Sequence, residues 1–181
     1  MQGRSETMTP VGQLHLATAL MALTAGGGML WRPKGTASHR RIGWLYVASM
    51  LTMNGTALLI YRLTGRFGPF HIAALVSLAM LLAGIIPVLW RRPAEEWLER
   101  HYFFMSHSYL GLAAAAIAET ATRVLGAHAY AGRPTTLFWI AVVFATVCVF
   151  VVGSGVIKRR SVSTLRPFNT KSSDVRRAPA I

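Results

Sequence analysis

Five apolar runs of bilayer-crossing length, at 11–31, 42–61, 70–90, 102–121 and 135–157, dominate the chain. A transmembrane helix takes about 20 apolar residues. A lipid interior offers backbone groups no other hydrogen-bond partner, so such runs fold as helices. The breaks between them, "RPKGTASHRR", "RLTGRFGP", "RRPAEEWLER" and "TRVLGAHAYAGRP", hold the Pro, Gly and charge that stop helices. Short breaks make neighbouring helices antiparallel. The pattern therefore predicts an all-α, polytopic integral membrane protein, an antiparallel bundle of five transmembrane helices with a four-helix core and a fifth span added. The first run is too long for a signal-peptide h-region and follows a segment with one Arg and one Glu, so it counts as a span. No internal repeat marks a second domain. The expected division is an outer N-terminal segment at 1–10, the bundle at 11–157, and a basic, aperiodic and disordered cytoplasmic tail at 158–181.

Charge then narrows the partners. Nineteen Lys and Arg stand against six acids on a chain that is 53% hydrophobic. Such an excess attracts nucleic acid or anionic lipid. The basic residues sit in the breaks and the tail, with no basic helix interleaved with aromatics, which argues against nucleic acid. The expected partners are the lipid bilayer and, at the tail, its anionic lipids. Fourteen of the nineteen fall in the breaks after runs one and three and in the tail; five (Arg4, Arg62, Arg66, Arg123 and Arg133) fall on the other side. The positive-inside rule then places the N-terminus outside and the C-terminus in the cytoplasm. Lone Cys148 excludes a disulfide framework, a four-Cys metal site and a covalently attached haem, and its position in an apolar run predicts a buried, inert thiol. The triple glycine at 26–28 lies in an apolar helix with no following Lys, so it predicts packing rather than a phosphate loop. Trp31, Trp44, Tyr61, Trp90 and Trp139 near span ends fit an aromatic belt.

Helical periodicity sorts the polar residues. On run four, His101, Met105, Ser108, Leu112, Ala115 and Glu119 share one line, and His107 points about 120° away. His39, Gly43, Tyr46, Met50, Met53, Ala57 and Tyr61 form a similar stripe on run two, with Asn54 beside it. His15, Ala19, Ala22 and Gly26 form a small-residue stripe on run one that permits close approach. Topology gathers His39 and His101, with Arg40, Met105 and His107, at the cytoplasmic end. It gathers His15, His71 and Glu119 at the other. His101 and Glu119 are 18 residues apart, roughly 27 Å of helix. Ionisable groups inside a membrane are costly and generally mark sites. Plainer roles compete: interfacial capping for the two cytoplasmic-end histidines, pairing of Glu119 with Arg123 or His15, and a solvated His128.

"SHRRIGWLY" and "ERHYFFMSHSYLGLAAA" resemble two signatures of the bacterial family of predicted membrane proteins called domain-of-unknown-function family 2306. The H-R-x-x-G-x-x-Y pattern is met by His39, Arg40, Gly43 and Tyr46. The H-x-x-x-M-x-x-S-Y pattern is met by His101, Met105, Ser108 and Tyr109. The resemblance runs from about residue 14 to 123 and implies a bacterial inner (plasma) membrane location. Members often carry Trp and Arg where this chain has Phe104 and His107. The family name states no function.

Three function classes fit these residues. Two histidines from different helices match bis-imidazole ligation of a b-type haem. Gly43 and Gly111 would give clearance, Arg40 and Arg41 would meet propionates, and Tyr46 or Tyr109 would line the edge. His15 and His71 would form a second pair, allowing two haems and an electron relay to a redox partner or quinone. Such a chain would be a membrane oxidoreductase or an electron-transfer subunit. The second class is a metal-dependent membrane enzyme with zinc or non-haem iron on His15, His71 and Glu119, without a local H-E-x-x-H spacing. The third is a non-catalytic accessory membrane subunit whose histidines pair internally.

Overall fold

In the computed structural model, residues 8–61, 65–91, 96–129 and 136–177 are described. The first seven residues, and the side chains of Arg62, Arg123, His128, Arg133 and Trp139, lie outside that description. Among the described residues there are five helices and no strand: α1 (Pro10–Trp31), α2 (Ala37–Ala57), α3 (Pro69–Trp90), α4 (Trp97–Ala129) and α5 (Thr136–Arg177). Local sequence sets several of the ends. The hydroxyls of Thr9 and Thr36 cap α1 and α2, accepting from the backbone N–H of Gly12 and His39. Prolines pre-shaped for a first turn open α1 and α3.

Three expectations are corrected. α2 starts and stops earlier than its apolar run, because Thr36 supplies the cap and places His39 in the first turn. α4 extends through Ala129, so much of the segment read as a loop is helix; "TRVLGAHA" has a single Gly and no Pro, too little to stop a helix already under way. The basic tail is likewise not a disordered segment through Arg177, since it continues α5 to a length of 42 residues. Adding turns to a formed helix is far easier than nucleating one. At 1.5 Å per residue α5 is roughly 60 Å long, about twice a hydrocarbon core.

The packing order is α1 on α2, α2 on α3, α3 on α4 and, more thinly, α4 back on α1; α5 packs on α4 alone among the described residues. α1 and α3 therefore stand on one diagonal, and α2 and α4 on the other. The centre is filled by the two predicted stripes: Tyr46, Met50 and Met53 from α2 meet Met105 and Leu112 from α4, with Ala22, Ala25 and Leu81. Outward faces are greasy, with Leu20, Ile72, Val76, Leu89, Phe144 and Val151 all exposed. Soluble chains seldom expose apolar surface on this scale. By length and hydropathy, α1 and α3 each suffice to cross a membrane. Trp31 and Trp90, 87% and 72% exposed, end those two helices. Cys148 is exposed, not buried as expected, because among the described residues α5 packs on α4 alone.

Candidate functional site

The α2/α4 diagonal brings the rings of His39 and His101 together, edge to face. Their ring centres lie 6.4 Å apart with planes 88° to each other. Nδ1 of His101 donates to the Gly84 carbonyl of α3 at 2.9 Å. A carbonyl only accepts, so the His101 proton is on Nδ1 and its Nε2 carries the lone pair in the neutral ring. Nδ1 of His39 is buried without a hydrogen-bond partner. A backbone carbonyl behind one imidazole nitrogen is the usual support for a metal-ligating histidine.

Seven residues deeper on each helix, Tyr46 and Ser108 form a second rung, hydroxyl to hydroxyl at 2.9 Å and both about 1% exposed. Ser108 passes its own proton to the Met105 carbonyl, so Tyr46 is the donor in the rung. This rung closes the bundle beneath the histidine pair. At the mouth, Lys34 is half-buried and donates to the Met29 carbonyl, and burial lowers its pKa. Arg40 donates to the Gly35 carbonyl at 3.2 Å and is exposed, as is Arg41. At Gly43 the nearest atom to an added Cβ would be the Met29 sulfur at 3.9 Å. Met105 packs on Gly84, and Tyr109 lies over Gly26 with its hydroxyl toward the Leu23 carbonyl, so these two serve helix packing. Gly111 has no neighbour within 4 Å of an added Cβ. The shallow cavity of about 280 Å³ at Ala25, Gly28, Arg32 and Ile42 lies between α1 and α2, away from the histidines.

At the opposite end the expected trio separates. His15 Nδ1 donates to the Met53 carbonyl and the Thr56 hydroxyl at 3.1 and 3.2 Å, and its Nε2 lies 3.8 Å from Glu119. His71 sits apart from that pair, packed against the rings of Tyr61 and Phe67. Its Nδ1 accepts the Gly68 N–H at 3.1 Å, so Nε2 carries the ring proton. That tautomer has no lone pair to offer a metal from Nε2, which counts against His71 as an axial ligand. Among the described residues no three of His, Cys, Asp or Glu gather, so the two-His, one-carboxylate metal site of the sequence reading is not formed. His107, whose offset turns it away from the His101 line, faces α5: Nδ1 donates to the Phe103 carbonyl at 2.8 Å and Nε2 accepts from Ser154 at 3.3 Å.

Sequence reasoning missed the Gly84 carbonyl, Thr56 and Ser154. The first is a backbone group with no residue-type signature. Ser154, a hydroxyl within an apolar run, was there to be found.

The sequence profile of the family described as "Predicted membrane protein (DUF2306)" matches residues 12–157. The chain belongs to this family. No curated protein and no solved structure matches it. The DUF2306 match spans α1 to α4 and the first half of α5, and so takes in His39, His101 and the rung beneath them.

Proposed function

We propose that this DUF2306 protein crosses a bacterial inner membrane five times and holds one b-type haem between His39 and His101 for electron transfer. One observation carries the reading: two imidazoles on diagonal helices with ring centres 6.4 Å apart. An imidazole nitrogen sits about 2 Å from a bound metal, so two rings on opposite sides of one metal have centres about 6 Å apart. Two protein ligands are too few for structural or catalytic zinc, which takes three or four. They suffice for haem, whose macrocycle brings the other four donors. When bound, the haem supplies one-electron chemistry. The chain's own residues do the rest. The Gly84 carbonyl fixes the His101 ring, the Tyr46–Ser108 rung bars water from below, and Arg40 and Arg41 offer cations at the mouth for carboxylate side groups. A second haem at His15 and His71 is not part of this proposal, because the His71 tautomer opposes it.

The test is an absorption spectrum of the detergent-purified protein after reconstitution with hemin, before and after dithionite, with metal analysis on the same sample. A Soret band and a sharp reduced α band are expected. Stoichiometric zinc or non-haem iron would reject haem in favour of another metal, and a featureless, metal-free sample would leave the accessory-subunit reading. Topology is tested separately. A reporter after Ile181 is expected to act as cytoplasmic and one inserted between residues 130 and 135 as external; the reverse would move the His39–His101 pair to the outside.

A further inference from the structure

His71 has features that the haem reading does not use. It is 4% exposed, and Nε2, the nitrogen that carries its proton, is buried without a hydrogen-bond partner. The Gly68 N–H directed at Nδ1 fixes that tautomer, so Nε2 carries an N–H donor. Nearly all buried donors in folded proteins are paired, and an exception calls for an explanation. Around the ring stand Tyr61 and Phe67, with ring centres 4.6 and 4.9 Å from that of His71. Both are about half exposed, at the end of the bundle where α2 stops and α3 begins.

We infer that His71, Tyr61 and Phe67 form a binding site for the head group of a lipid-soluble quinone, a quinone carbonyl accepting the His71 Nε2 proton and the quinone ring packing against the two aromatics. The ligand must be an acceptor, because Nε2 only donates. It must be flat and apolar, because aromatic rings surround the donor. It must reach the site from lipid, because both rings open at the surface of an apolar bundle. A quinone carbonyl meets these conditions without a charge. A lipid phosphate would also accept the proton, but it would place an anion against two aromatic faces, which their quadrupoles disfavour. The site does not depend on a haem being present.

The test is equilibrium binding of a decyl-substituted benzoquinone to the full-length protein in detergent micelles, with protein-free micelles as background. His71→Gln keeps both an acceptor for Gly68 and an N–H donor, and it is expected to bind as wild type does. His71→Phe keeps the ring and loses the donor, with affinity expected to fall on the order of tenfold, the equivalent of one hydrogen bond. Tyr61→Leu, at an exposed position, should weaken binding without disturbing the fold and serves if His71→Phe does not fold. No binding above background, unchanged affinity in His71→Phe or Tyr61→Leu, or displacement of the quinone by phosphatidylglycerol at equal concentration would overturn the proposal. Because binding is read without any spectrum of iron, the result is independent of whether His39 and His101 hold haem.

Discussion

If the protein holds haem as proposed, His101→Ala is expected to abolish the haem spectrum of the reconstituted protein altogether. His101 is the better-held of the two imidazoles, its ring fixed by the Gly84 carbonyl at 2.9 Å with the Nε2 lone pair left free. Removing it leaves His39 alone on the diagonal, and one imidazole gives neither the affinity nor the low-spin signature of two. His39→Ala should have the same spectral outcome by the same logic. His107→Ala is the contrasting variant. Its two hydrogen bonds go to Phe103 and Ser154, so it should keep the spectrum and lose some α4–α5 stability, about 1 kcal/mol for a buried side-chain bond. Spectra of the three variants at equal protein concentration decide the matter. If His107→Ala bleaches the band and His101→Ala does not, the ligand assignment is wrong.

The second large effect is steric. Gly26→Ala should destabilise the bundle by about 1–3 kcal/mol, the usual cost of overpacking a filled core. An added Cβ would come within 2.6 Å of Tyr109 Cε2 and 3.1 Å of Tyr46 Cε2. Tyr46 has little room to yield, being 1% exposed and bonded to Ser108, and the partly buried Tyr109 is tied by its hydroxyl to the Leu23 carbonyl. Gly28→Ala, two residues on, meets nothing within 4 Å and gains helix propensity, so it should be neutral or slightly stabilising. Thermal midpoints of the two variants in the same detergent check the contrast. Equal midpoints would mean that α1 does not approach the two tyrosines as closely as the structure has it.

The sequence was most informative where a single helix carries the signal. Period-3.6 stripes on runs two and four named Tyr46, Met50, Met53, Met105, Ser108 and Leu112, and those side chains are buried at the centre. The small-residue stripe on run one predicted close approach, and Gly26 lies beneath the Tyr46 and Tyr109 rings. The angle of His107 on its helix turns it away from the His101 line, and the ring is directed at α5. These are properties of one helix in isolation, fixed by 100° per residue.

What faces what across the bundle was settled by tertiary structure alone. Charge and periodicity placed His15, His71 and Glu119 at one depth, but depth is not contact: α1 and α3 lie on a diagonal, and His15 meets Glu119 while His71 meets Tyr61 and Phe67. The tautomers of His71 and His101 depend on a backbone N–H and a backbone carbonyl, groups every residue possesses and no pattern of side chains discloses. Helix ends behaved likewise. The hydrophobic runs mark where lipid would be, whereas the length of a helix follows its caps and the low cost of propagation, so α5 continues to Arg177 through a segment whose composition reads as disorder. Sequence determined which faces are apolar and which residues are polar within them. Only the packing of the helices decided which polar atoms meet, because that depends on crossings and offsets between elements far apart in the chain.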